Sequence, residues 1–356
     1  MPAAQSCAGD PHGAPDPDLT CGYLGLRLRN PIVASASPLT LHVDGVRALA
    51  EAGVGAIVLY SLFEEEVHRE QLRDLQIVDA HEDAFGEALS YFPRRNIPQP
   101  GAAHHYLKQI ERSVELSDVP VIASLNGSTA GGWARFATAM QDAGAAAIEL
   151  NVYAVPGDPL TSSRDVEDRH VEILQMVKGA VTIPVAVKLS PHFSSVGQVA
   201  IRLDRAGADG LVLFNRFLHP DVDPETLTVE PGVTLSSPAE ARLPRAWIGI
   251  LHGHVRGSLA ATTGVETAED VAAYLLAGAD VVMTASALLR HGAGHATVLV
   301  DGLRAWMARK GFASLDAVRG RLAVPRHADA TAYERAGYLA ALEYGRAAYG
   351  PLDPAH

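Results

Sequence analysis

Cysteine is nearly absent from this chain: Cys7 and Cys21 are the only two among 356 residues. Cys7 sits in a Pro/Gly/Ala-rich leader, so neither a disulfide framework nor a cysteine-ligated metal or iron–sulfur cluster is available. This suits a reducing, cytoplasmic setting. Basic charge is scarce as well. Lys and Arg number 29 against 41 Asp and Glu, and the net charge of -12 opposes nonspecific binding to nucleic acid or acidic membrane. No apolar run reaches the length of a membrane span. The first 18 residues, MPAAQSCAGDPHGAPDPD, have neither a basic start nor an apolar centre, and read as a disordered tail rather than a signal peptide. A glycine-rich dinucleotide fingerprint is missing too, which leaves NAD use through an extra domain unsupported. The partner left by these exclusions is a small-molecule substrate, with no nucleic acid, no membrane span, and a homodimer open as an assembly.

With 48% hydrophobic and 20% charged residues, the chain can bury one large core or two ordinary ones. LTCGYLGLRLRNPIVASAS predicts a small hairpin capping a barrel floor and then a first strand over 32–36. A helix over 43–52 leads to AGVGAIVLYS, a second strand ending at Tyr60 and Ser61. Residues 62–100 interrupt with an acidic, aromatic, proline-containing insertion of the kind that forms a lid or substrate wall. Its run Glu64, Glu65, Glu66 reads as a solvated helix start, since three adjacent carboxylates do not share a helical face. The strand–helix order then resumes: helix 102–116, strand 120–126, helix 131–143, strand AAIELN, helix 165–178, strand PVAVKL, helix 195–206 and strand 210–215. A second insertion, 216–245, contains TLTVEPGVTL and predicts an excursion hairpin. Helices over 246–257 and 267–277 precede LAATTGV and DVVMTAS, and a last amphipathic helix covers 295–310. Eight such units, with Ala-Gly turns before strands at 52–53, 143–144, 206–207 and 277–278, favour an α/β class (β/α)8 TIM barrel over a doubly wound sheet. The barrel spans 19–312, with the hairpin before it, insertions after strands 2 and 6, and a helical extension over 313–356.

In a parallel barrel the chemistry sits where the strands end. Two strand ends stand out between Ala145 and Leu189, because each presents a polar side chain where an apolar run stops: Asn151 and Lys188. A lysine closing a Val-rich strand needs something anionic or hydrogen-accepting to meet it, since a buried ammonium alone is costly. The plainer reading is a salt-bridged barrel-end lysine. Strand seven closes with Thr262-Thr263-Gly264-Val265 and strand eight with Thr284-Ala285-Ser286. Small residues there bring backbone N–H groups to a phosphate, at the loops where such barrels bind one, with close packing as the plainer account. The His252-x-His254 pair reads as part of a helix late in the sixth unit, a poor metal-site signal.

NPIVASAS after a hairpin, ASLNGS on strand three, ELN on strand four, VKLSPHF on strand five, LFN on strand six, then TGV and TAS, together resemble the dihydroorotate dehydrogenase family over 19–310. The resemblance implies FMN lying across the strand ends, with its phosphate at loops seven and eight. It implies a cofactor set of Ser35, Ser61, Asn126, Asn151, Lys188, Gly264, Thr284, Ala285 and Ser286, with Asn151 and Asn215 facing substrate. Lys188 would stand at the N1/O2 edge of the ring, where a fixed cation supplies a large electrostatic term when that edge becomes anionic. The reaction implied is oxidation of dihydroorotate, or of a related cyclic CH–CH substrate, within pyrimidine biosynthesis.

The chain departs from that family's pattern in its strand-four loop. Asn151 is followed by Val152, Tyr153 and Ala154 before Val155-Pro156-Gly157, so the loop is about two residues shorter and lacks the cysteine or serine base. On strand two, Tyr60 precedes Ser61 where the family often has lysine. A missing base costs about two to four orders of magnitude in rate. Tyr153 stands nearest in sequence to that role, ahead of His104, His105 and His192, with a lid residue and a solvated helix start as the plainer readings. Two alternatives remain open: a flavin-binding homologue that has lost dihydroorotate oxidation, and a Schiff-base aldolase or phosphosugar isomerase using Lys188 as nucleophile.

Overall fold

The computed structural model describes residues 16–66, 101–127, 132–152, 158–216 and 220–350. Strands β1 (Cys21–Tyr23) and β2 (Leu26–Leu28) pair antiparallel through a tight turn in which Leu24 and Gly25 both have positive φ. The turn aims Leu24 at Gly210, where an added Cβ would come within 2.6 Å of the leucine, and the Leu24 N–H donates to Ser258 Oγ at 3.1 Å. The hairpin thus plugs the barrel floor. Asn30 then fixes the entry to the first barrel strand, donating to Gly53 O at 2.7 Å and accepting from the Ile32 N–H at 3.0 Å.

The chain continues through β3 (Ile32–Ala34), α1 (Val43–Glu51), β4 (Ala56–Val58) and a two-residue β5 (Leu62–Phe63). After it come α2 (Ala102–Leu116), β6 (Val121–Gly127), α3 (Trp133–Asp142), β7 (Ala147–Val152), α4 (Ser163–Ala180), β8 (Val185–Leu189), α5 (Val196–Arg205) and β9 (Gly210–Leu213). An antiparallel hairpin, β10 (Pro220–Asp223) with β11 (Thr228–Pro231), stands exposed in the second insertion, as the sequence predicts. The remainder is α6 (Arg242–Leu251), β12 (Ser258–Ala261), α7 (Ala268–Ala277), β13 (Val281–Thr284), α8 (Ser286–His291), α9 (His295–Lys310) and α10 (Ala330–Tyr349).

Eight parallel strands close in the order β3, β4, β6, β7, β8, β9, β12, β13 and back to β3, which is the (β/α)8 TIM barrel. Their period-two alternation separates two cores. Outward residues such as Ile148, Leu150, Val185 and Val187 pack against the helices. Inward residues, Val33, Val58, Ile122, Ala147, Ala186, Val212, Ala260 and Met283 among them, meet the plug of Tyr23, Leu24 and Leu28. Aspartates at the floor end serve the fold. Asp209 accepts from the Val185 N–H and pairs with Lys178, and Asp204 accepts from the Arg256 and Gly257 N–H groups.

Some boundaries differ from the sequence expectations. The helix placed at 246–257 runs instead over α6, because a capping box at Ser237 and Glu240 starts a 3-10 turn that leads straight into it. Pro244 falls in the first turn, where its missing N–H has no helical partner to lose. His252 and His254 are therefore not helical: His252 caps α6, and its Nδ1 lies 3.2 Å from Gly278 O. β5, which pairs with β6 outside the barrel, and α8 were not anticipated. Among the described residues no helix is long and apolar enough to cross a membrane, and no cluster of metal-ligating side chains occurs.

Candidate active site

The same alternation that buries Ala147 inside the barrel carries Glu149 and Asn151 up the inner face of β7, and it carries Lys188 up from Ala186 on β8. Register places Asn126, Asn151 and Lys188 side by side on three neighbouring strands. Lys188 is only 8% exposed, and its Nζ lies 3.4 Å from Glu149 Oε1 and 3.5 Å from Ser35 Oγ. Glu149 is 1% exposed, and its Oε2 has no hydrogen-bond partner among the described residues. This is a buried ion pair with little surrounding solvation, costly to form and costlier to break from one side. Beside it, the Asn215 amide donates to Asn151 Oδ1 at 2.9 Å.

A cavity of about 250 Å³ opens above these groups. Ser35, Lys188 and Asn215 line it together with Gly264, Thr284, Ala285 and Ser286, with Phe214, Val233, Leu235, Val265 and Met283 as apolar walls. The Gly264 and Ser286 part of the lining is held by a hydrogen-bonded loop that sequence reasoning missed. Ser236, 5% exposed, comes in from the second insertion; its hydroxyl bonds Ser286 Oγ at 2.9 Å and accepts from the Gly264 N–H at 3.2 Å. Arg290 donates to Ser236 O at 2.7 Å and pairs with Glu266 at 2.6 Å. The turn at the end of β12 is strained: Thr263 has φ 83, held by its own bond to Phe214 O and by Tyr274 OH donating to Thr263 O at 2.6 Å.

Of the residues expected from sequence, Ser35, Lys188, Asn215, Gly264, Thr284, Ala285 and Ser286 share this cavity. Asn151 joins through its bond to Asn215, and Asn126 stands one strand further along. Ser61 does not line it. Its hydroxyl lies 2.8 Å from Ser124 Oγ, and it borders a neighbouring cavity of about 490 Å³ with Tyr60, His104 and His105. His192 borders a third cavity, which shares Phe214, Asn215 and Arg216 with the first. Tyr153 and Ala154 lie outside the described residues. A signal for Glu149 was present, a charged residue inside the apolar run AAIELN; Ser236 had none beyond its place in a serine pair.

The dihydroorotate dehydrogenase family model matches residues 19–307. The dihydroorotate dehydrogenase B (NAD(+)) catalytic subunit of Methanothermobacter thermautotrophicus is 26% identical over 314 residues, covering 85% of this chain and 97% of that one. The catalytic subunit of the same name from Methanosarcina mazei is 26% identical over 301 residues, covering 83% and 92%. That from Halalkalibacterium halodurans is 31% identical over 197 residues, covering 54% and 64%.

Proposed function

This chain belongs to the dihydroorotate dehydrogenase family, and from that premise we propose that it is an FMN-dependent oxidoreductase acting on the CH–CH bond of dihydroorotate or a related cyclic amide. The observation that carries the reading is one cavity lined both by a buried ammonium, Lys188, and by the small-residue cradle Gly264, Thr284, Ala285 and Ser286. These residues fit FMN by the chemistry of their donors. Small residues at two strand ends admit a phosphate to backbone N–H groups, a cation suits the electron-rich N1/O2 edge, and apolar walls suit the ring between them.

When bound, FMN supplies a hydride acceptor. The chain's own residues do the rest. Lys188 would present a positive charge to the ring edge, with Ser35 Oγ 3.5 Å from its Nζ, and a preoriented, largely buried charge acts at little reorganisation cost. The Asn215 to Asn151 bond fixes the orientation of both amides, and Asn215, which lines the cavity, keeps its own Oδ1 as an acceptor for a ligand. Among the described residues lining the cavity there is no carboxylate, imidazole or thiol to take a proton. In this reading the proton acceptor is Tyr153, in the loop after β7, on the strength of its place in the sequence beside Asn151.

A cytoplasmic location, a homodimeric state and a place in pyrimidine biosynthesis belong to the same proposal, with light scattering the measure of the second. The test of the function is spectroscopic. The purified protein should show flavin absorption bands that bleach anaerobically on mixing with dihydroorotate, or with dihydrouracil if the ring specificity differs. Tyr153→Phe should slow the bleaching by on the order of a hundredfold or more. A colourless protein that takes up no added FMN would overturn the reading, and equal rates in parent and Tyr153→Phe would remove Tyr153 from it.

A further inference from the structure

We propose that Glu149 is a positioning residue for Lys188, the counter-charge that limits how strongly the ammonium acts on a ligand in the cavity; this rests on the flavin reading above. Glu149 sits one inward layer below Lys188, and its register neighbours on the flanking strands are Ser124 and Ala186. Neither supplies a second charge. Ser124 Oγ is engaged with Ser61, and the Tyr106 hydroxyl donates to Ser124 O at 3.0 Å, so these nearby hydroxyls are directed elsewhere. The carboxylate is 1% exposed, and among the described residues one oxygen bonds only Lys188, at 3.4 Å, and the other bonds nothing. A buried carboxylate so poorly satisfied is expensive to keep, and an apolar side chain would pack the same layer at less cost. Its presence is explained by what it does to the one group it touches.

Lys188 lines the cavity, and Glu149 lies one layer beneath it, outside the lining, so the ammonium stands between the carboxylate and the cavity, two places where negative charge can reside. With Glu149 ionised, part of the cation's field is spent on the carboxylate. Negative charge arriving on the cavity side is stabilised less than it would be by a lysine with no counter-charge. For a flavin whose N1 edge gains negative charge on reduction, Glu149 therefore lowers the reduction potential. It also holds the lysine stem upright for its contact with Ser35.

The experiment is a spectroscopic redox titration of the FMN-loaded protein. Glu149→Gln is expected to raise the midpoint potential by the equivalent of a tenfold or larger gain in relative affinity for reduced over oxidised flavin, about 30 mV for a two-electron couple. Glu149→Met, a second charge-free side chain of like volume, should do the same and keeps the measurement open if the glutamine variant does not fold. Glu149→Asp, which keeps the charge, should stay within roughly threefold of the parent, about 15 mV. A purely structural role would change thermal stability and leave the potential alone. Charge-free variants that hold FMN at an unshifted or lowered potential would overturn the proposal. Failure of the parent chain itself to hold FMN would overturn the flavin reading instead, and shows before any substitution is made.

Discussion

Replacing Lys188 by methionine removes a cation and strands a carboxylate, and the structure gives the size of the effect. Two unit charges 3.4 Å apart interact by about 5 kcal/mol at an effective dielectric constant of 20. Breaking a buried pair from one side costs about 3–5 kcal/mol, because the partner is left uncompensated. Glu149, at 1% exposure with its other oxygen already unbonded, has no alternative partner among the described residues. At roughly 2 °C per kcal/mol for a chain of this size, Lys188→Met should lower Tm by about 6–10 °C at pH 8. Adding Glu149→Gln to the lysine variant removes the stranded charge and should bring Tm back to within about 2 °C of the parent, since replacing both partners of a buried pair is often neutral. The assay is differential scanning calorimetry of the parent, the two single variants and the double variant at pH 8. An unchanged Tm in Lys188→Met, or a double variant no better than the single, would refute the claim that the two charges depend on each other.

Three further expectations concern other parts of the fold. His170, 2% exposed and edge-on to Phe193, is held below the ordinary value near 6.5 by burial, opposed by its bond to Val166 O. The parent should lose stability as pH falls from 6.5 through the depressed folded value, and His170→Phe should flatten that slope in thermal melts at stepped pH. Gly264→Ala places a Cβ 2.6 Å from Ser237 O at φ +70, and should cost roughly 1–3 kcal/mol, read as a drop in Tm together with loss of FMN binding. Arg290→Met frees the Ser236 loop beside the cradle, and should weaken FMN about tenfold, the worth of one hydrogen bond, by fluorescence titration. Riboflavin, which has no phosphate, should bind equally to parent and variant.

The barrel was legible because its strands are short, aliphatic and spaced by helices of ordinary length, so period alone separates them. Strand ends are where the pattern breaks, and polar residues at a break, Asn151, Lys188 and Asn215, are visible without a structure. Ser61 shows the limit of that rule. It ends a strand as the others do, yet it bonds Ser124 and faces a different cavity, because the shape of the barrel mouth depends on what stands over each strand. Ser236 shows the converse. Its role depends on a loop folding back across loops 7 and 8, a contact 50 residues long that no local pattern encodes. The shift of α6 came from a cap: Ser237 and Glu240 satisfy each other's backbone and fix the start of the helical path before its apolar face begins.

The seam of the barrel has a consequence for how the chain is made. β3 finds its partners on both sides only when β13 arrives, with Ile32 opposite Val282. At about 5–20 residues per second, synthesis of the intervening segment takes on the order of 10–50 s. For that interval the nascent chain carries an unpaired strand edge, and the floor hairpin has no Gly210 and no Ser258 to dock against until those residues emerge. Closure is thus a late event that joins the earliest-made part to the latest. Deleting the hairpin would burden this step and leave the distant strand ends chemically intact, so damage of that kind should appear as poor yield or aggregation during expression, with normal flavin spectra in whatever fraction folds.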